Sequence, residues 1–246
     1  WTGGATGTSV SNLSSGSYTV TVTDSKGCTA TKAFSVTQPT SLPSATVTPT
    51  AVSCFGGTNG AASVTGSGGT AGYTYAWTGG ATGTSVSNLS SGSYTVTVTD
   101  SKGCTATKAF SVSQPTSLPS ATVTPTAVSC FGGTNGAASV TGSGGTAGYT
   151  YAWTGGATGT SVSNLSSGSY TVTVTDSKGC TATKAFSVSQ PTSLPSATVT
   201  PTAVSCFGGT NGAASVTGSG GTANYTFAWT GGATGTSVSN LSSGSY

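Results

Sequence analysis

The chain has 246 residues, of which 4% are charged, with six Lys/Arg, three Asp/Glu, no His and a net charge of +3. So dilute a charge points away from nucleic acid, which needs clustered Lys or Arg. It also points away from acid–base catalysis, which wants a His or paired carboxylates: Asp24, Asp100 and Asp176 stand a full 76 positions apart. No apolar run is long enough to cross a membrane.

Internal repetition dominates everything else. Tyr73-Thr74-Tyr75-Ala76-Trp77 recurs at Trp153 and, as Tyr225-Thr226-Phe227-Ala228-Trp229, at Trp229, while Trp1 opens the chain at the same point of the 76-residue period. Two complete copies, 40–115 and 116–191, are flanked by a C-terminal half (1–39) and an N-terminal half (192–246) of the same module. The reading is a window on a longer fibre.

The copy 40–115 predicts six strands. Pro39 and Pro43 bracket a stiff, extended joint. Ala45–Ser53 is a first strand whose Pro49 belongs on a sheet edge. Cys54-Phe55-Gly56-Gly57-Thr58-Asn59-Gly60 is a turn, and Ala61–Thr65 a second strand of small residues. In the third strand Tyr73, Tyr75 and Trp77 share one face by the period-2 rule. Gly79–Gly83 turns the chain into Thr84–Leu89. Tyr94–Thr99 then alternates apolar and polar residues as a half-buried antiparallel strand does. Asp100-Ser101-Lys102-Gly103 is a turn, and Cys104–Val112 the last strand. Short strands with turns every 8–12 residues predict a β-sandwich. Leu89, Gly92 and Tyr94 in this order resemble the tyrosine corner of immunoglobulin-like and fibronectin-III-like sandwiches. The expected fold is therefore all-β: tandem immunoglobulin-like modules of 76 residues strung into a fibre.

Each repeat carries two cysteines, giving Cys28, Cys54, Cys104, Cys130, Cys180 and Cys206. Regular spacing in a small β module implies an oxidising, extracellular setting. Without His or a CxxC pattern, zinc is not expected, and neither is any other metal or cofactor. Four predicted strand passes separate Cys54 from Cys104. An even number returns the chain to the same end, so the pairing read here is Cys54–Cys104 and Cys130–Cys180, with Cys28 and Cys206 bonded outside this stretch. The rival is Cys28 with Cys54 across the proline joint.

The Cys-Phe-Gly-Gly-Thr-Asn-Gly turn, Gly-Gly-Thr-Ala-Gly-Tyr-Thr-Tyr-Ala-Trp, Asn-Leu-Ser-Ser-Gly-Ser-Tyr-Thr-Val-Thr-Val-Thr-Asp and Gly-Cys-Thr-Ala-Thr follow one another in both complete repeats, and the partial ones keep the same order with Asn224 and Phe227 as substitutions. This order resembles the SprB repeat of large surface adhesins of gliding Bacteroidetes. The resemblance implies export by a type IX route, display on the cell surface, and a role in adhesion or gliding motility. It assigns no ligand-contacting residue.

The remaining candidates are weighed against plain structural roles. Trp77, Trp153, Tyr94, Tyr170, Tyr75 and Tyr151 are expected in the core. Tyr73 and Tyr149, nearest the turn, are the places where a sugar ring would stack. Asp100 is expected to form its turn. Lys108 shares parity with Phe110 and Val112 and should point inward unless a bulge intervenes; an edge or bulge lysine whose stem packs while its head reaches water is the favoured reading over a crosslink to Asn88. The function that follows is a structural stalk of an extracellular adhesin or filament, not an enzyme. Its partners are the neighbouring repeats of the same chain, with surface polysaccharide or lateral copies of the fibre as further ones. The alternative is a distributed, weak polysaccharide-binding module acting by avidity.

Overall fold

Alternating Thr and Val, with Gly or Asn at the turns, leave the backbone no competitor to strand pairing, and the computed structural model, which describes residues 1–246, contains strands and no helix. The chain separates into two compact units, one of Trp1–Val52 and Gly56–Gln114, the other of Ser53–Phe55 and Pro115–Tyr246.

In the first unit β1 (Gly16–Thr23) and β2 (Thr29–Val36) form a hairpin. They are followed by β3 (Ser44–Thr50), β4 (Gly60–Ser67), β5 (Thr74–Trp77), β6 (Ser85–Leu89), β7 (Gly92–Thr99) and β8 (Thr105–Val112). These six make two antiparallel sheets, β3-β4-β6 and β5-β7-β8. The order is that of an immunoglobulin-like sandwich with three strands in each sheet. In the second unit β9 (Ser120–Thr126), β10 (Gly136–Ser143), β11 (Thr150–Trp153), β12 (Ser161–Leu165), β13 (Gly168–Thr175) and β14 (Thr181–Val188) repeat the arrangement as β9-β10-β12 and β11-β13-β14. A three-stranded sheet of β15 (Ser196–Thr202), β16 (Gly212–Ser219) and β17 (Ser237–Leu241) follows. All six strands predicted for a repeat form, and Pro49, Pro125 and Pro201 lie in the edge strands β3, β9 and β15.

The core lies between the sheets. Val96 and Val98 of β7 are fully buried beside Trp77, Val64, Ala62 and Leu89. Burying a valine side chain contributes about 1.5–3 kcal/mol, so the alternation in β7 is a main source of cohesion. What the second sheet does is visible inside the same molecule. Val98 is 0% exposed, whereas Val22, its equivalent in the β1–β2 hairpin, is 65% exposed.

Gly60 opens β4 in a crowded place between the two sheets. A Cβ there would lie 2.7 Å from the Leu89 carbonyl oxygen and from Val112 Cγ1. The β4–β6 register shifts between Gly60 and Ala62, a bulge that lets the strand meet this crowding.

The β6–β7 connection is a tyrosine corner. The Tyr94 hydroxyl donates to the Ser90 carbonyl at 3.0 Å, as Tyr170 does to Ser166 at 3.0 Å. Substituting Tyr94→Phe together with Tyr170→Phe removes one such bond per sandwich and is expected to lower stability by about 1 kcal/mol for each. Chemical denaturation should show this as an earlier midpoint at unchanged slope.

Topology also fixes which end of the sandwich each turn occupies. Gly60 pairs with Leu89, so β6 finishes where β4 starts. The short Ser90–Ser91 link therefore places the start of β7 at that end as well. Thr74 pairs with Thr99 and Trp77 with Val96, so β5 begins at the far end and stops midway. Thus β5 and β6 run in the same direction and share one downward pass between the two sheets.

Candidate functional site

The predicted aromatic row faces the core. Tyr75 pairs with Val98 and Trp77 with Val96 across β5–β7, on the buried side of the sheet. Trp77 is 4% exposed and its indole N–H donates to the Gly83 carbonyl at 2.9 Å. Phe110 meets the Trp77 ring edge-on at 5.6 Å and stacks on Tyr94 at 5.7 Å. Trp153, Phe186 and Tyr170 repeat this group at 5.7 Å for both contacts. Tyr151 is buried in the core of the second sandwich. Phe110 and Phe186 were not singled out in the sequence, although their parity with Val112 and Val188 carried the signal.

Tyr73 and Tyr149 are half-buried, and neither presents a free ring. The backbone at Gly66 lies so close that a Cβ there would be 2.7 Å from Tyr73, and the Tyr73 hydroxyl donates to the Gly68 carbonyl at 2.5 Å. Tyr149 donates to Gly144 at 2.6 Å in the same way. The adjacent Gly66 N–H donates to the Tyr75 hydroxyl oxygen at 2.8 Å. The polar tips of this row are thus engaged with the β4–β5 turn.

Lys108 is exposed. It lies opposite Val96 on the inner face, but β8 is an edge strand, so its head reaches water. This placement is that of the edge lysine, whose head reaches water past the rim of the sheet.

Asp100 is buried and holds two turns together. Oδ1 accepts the N–H groups of Lys102 and Cys104, both at 2.9 Å, while Oδ2 accepts that of Thr70 at 3.0 Å. The left-handed Gly69 beside it has φ +58°, and a Cβ there would stand 2.6 Å from Oδ2. Asp176 does the same for Lys178, Cys180 and Thr146, each at 2.9 Å. The N–H of Thr70, then those of Cys104 and Lys102, hold the Asp100 carboxyl below its ordinary value against the opposing effect of burial. A lowered folded pKa means stability that is full above the unfolded value of about 3.9 and is lost as pH falls through the folded one. Thermal stability is therefore expected to fall below about pH 4. The Asp100→Asn/Asp176→Asn protein should be less stable at neutral pH and should lose that acid-dependent part.

The cysteine pairing differs from the expectation. Cys54 is bonded to Cys180, with the two Cα atoms 5.8 Å apart, and Cys28, Cys104, Cys130 and Cys206 are free and exposed. Neither Cys54–Cys104, Cys130–Cys180 nor Cys28–Cys54 forms. The reason is the pass count: because β5 and β6 share one pass, three passes rather than four separate Cys54 from Cys104, and an odd number puts them at opposite ends. Eight residues of β7 at about 3.3 Å each set those ends roughly 25 Å apart, far beyond the ~7 Å that a disulfide tolerates between Cα atoms. Two further contacts brace the bonded loops. The Asp176 carboxylate fixes the Cys180 backbone, and the Gly56 N–H, two residues past Cys54, donates to Gln114 Oε1 at 2.8 Å. Gly132 and Gln190 repeat the latter at 2.9 Å.

No three His, Cys, Asp or Glu side chains come together where they could hold a metal. A cavity of about 520 Å³ lies beside Trp229 and Tyr246 and is walled by apolar residues such as Val199, Val204 and Leu241. It holds no titratable pair.

Comparison with known proteins agrees with the repeat period. The model of the SprB repeat matches residues 46–82, 122–158 and 198–234. Comparison with curated proteins finds no match. A solved structure of an amphioxus IgVJ-C2 molecule is similar at 14% identity over 48% of this chain and 88% of that one, with a TM-score of 0.25. That score is too low to carry an argument, and the immunoglobulin-like assignment rests on the sheet order and the tyrosine corner. Three matches spaced by one period, each covering the turn from the first strand through the tryptophan, establish the chain as a SprB-type repeat region.

Proposed function

We propose that this chain is a structural spacer of a repetitive cell-surface protein, extending a recognition element away from the cell in the manner of an adhesin stalk. The observation that carries the reading is that each complete repeat uses its aromatic row internally. Trp77, Phe110, Tyr94 and Tyr75 are packed against their own core, and the tyrosine hydroxyls and the aspartate are engaged by backbone. What remains outside is mostly Thr and Ser, including cross-strand pairs such as Thr97 and Thr107 with hydroxyls 3.1 Å apart, interrupted in each complete repeat by one exposed Leu and one exposed Phe, Leu42 with Phe55 and Leu118 with Phe131. Modules of this kind, repeated along one chain, suit extension better than recognition. The disulfide supports an extracellular setting. Adhesion and gliding motility, implied by the family resemblance, are the processes such a spacer would serve.

The test is binding of the oxidised chain to a panel of bacterial and algal polysaccharides. A spacer shows no saturable binding. Saturable binding that disappears in a Tyr73→Ala/Tyr149→Ala protein, while its fold is retained, would overturn the reading in favour of adhesion distributed along the repeats.

A further inference from the structure

We propose that the Cys54–Cys180 disulfide is a tension bypass, which takes the residues between the two sulfurs out of the path along which a pull on the chain is transmitted. Cys54 belongs in sequence to the repeat 40–115 and Cys180 to 116–191, so the bond crosses a repeat boundary. It spans 126 positions. Force applied to the two ends passes along the backbone to residue 54, through the two sulfurs, and out along the backbone from residue 180. The enclosed segment contains every strand from β4 to β13. Only β3 and β14 of the two complete sandwiches lie outside it, each as an edge strand of its sheet. A pull can peel those two strands and is then stopped by a covalent bond.

The sites are built for this bond. Asp176 clamps the Cys180 backbone within its turn, and Gln114 clamps the loop just after Cys54. No other two cysteines of the chain stand 126 positions apart, and the other four are free. The same loop cysteine and the same turn cysteine recur with a 76-residue period, shorter than the span of the bond. Wherever the pairing is repeated, successive enclosed segments overlap: Cys104 and Cys130 both lie inside the segment closed by Cys54 and Cys180. Overlapping bonds make a chain whose sandwiches are shielded in turn by their neighbours' crosslinks. The bypass follows from covalent connectivity and does not depend on the display proposed above.

Single-molecule stretching of the full chain, held by its two ends, tests it. In the oxidised chain the enclosed residues should never contribute to the extended length. Dithiothreitol supplies two electrons and two protons, splits the disulfide into two thiols and is itself oxidised to a cyclic disulfide. Fully stretched molecules should then lengthen by roughly 430 Å, the reach of the 126 enclosed positions at about 3.4 Å each. A Cys54→Ser/Cys180→Ser chain should reach the same length without reductant. Extended length does not require the variant to fold, so the comparison holds even if it is unstable. Full length in the oxidised wild type, or no gain in the double variant, would overturn the proposal.

Discussion

Replacing Trp77 and Trp153 together with alanine is expected to unfold both complete sandwiches at room temperature, the largest effect of any side-chain truncation in the core. Each tryptophan is almost wholly buried, donates its indole N–H to a turn carbonyl (Gly83 or Gly159, both at 2.9 Å) and is met edge-on by Phe110 or Phe186. Truncating a buried Trp to Ala costs about 3–5 kcal/mol, because transfer free energy is lost and the cavity does not fully collapse. It also leaves the turn carbonyl without its donor. Small modules bury a lower fraction of their surface than large domains, so such a loss is comparable with their whole stability. The equivalent Trp1→Ala change is the internal control. Trp1 is half-buried against Phe34, on a hairpin with no second sheet over it, and its removal should leave the thermal transition of the two sandwiches unmoved. Circular dichroism melts of the three proteins decide the matter. A Trp77→Ala/Trp153→Ala protein with a wild-type transition would show that the aromatic row is not the keystone of the core.

That the row would be core was legible because period-2 parity is a local property: once Tyr75 and Trp77 share a face, the strand needs only a partner sheet to bury it. The six strands, the tyrosine corner and the role of Asp100 were readable for the same reason, each being set by residues close together in sequence. What failed was the one inference that required counting direction over many elements. The stretch from Tyr73 to Leu89 contains two strand-like segments with a Gly-rich turn between them, and turns of that kind ordinarily reverse the chain. Here the Gly79–Gly83 segment instead carries it from one sheet to the other. Trp77 N–H donates to the Ala81 carbonyl, while Val64 N–H, on the opposite sheet, donates to that of Thr84. A crossover and a reversal draw on the same turn residues, so composition does not distinguish them. The error of one pass moved Cys104 to the wrong end and with it the disulfide. Gln114 and Gln190 were illegible for a related reason, since their partners lie 58 positions away.

The disulfide supplies the second large effect. In the chain-entropy description a bond closing a 126-residue loop stabilises by about 5 kcal/mol when the whole loop would otherwise unfold, with about 2–5 kcal/mol typical of native bonds removed from small domains. The dependence on loop length is logarithmic, about 0.6 kcal/mol per doubling. Most of the effect therefore persists even if one sandwich melts while the other still holds its end of the bond. Cys54→Ser and Cys180→Ser should each lower stability by about 2–5 kcal/mol, and the double variant should lose no more than either alone, because all three remove the same bond. Cys104→Ser and Cys130→Ser, which touch free and exposed thiols, should stay within about 0.5 kcal/mol of wild type. Pairing inside each repeat makes the opposite forecast: Cys104→Ser would then be as damaging as Cys54→Ser, and the double loss of Cys54 and Cys180 would be additive, since two separate bonds would be cut. Denaturant melts with thiol titration separate the two schemes. The wild type should show four reactive thiols; Cys54→Ser should gain one as Cys180 is released, and Cys104→Ser should lose one with no change in midpoint.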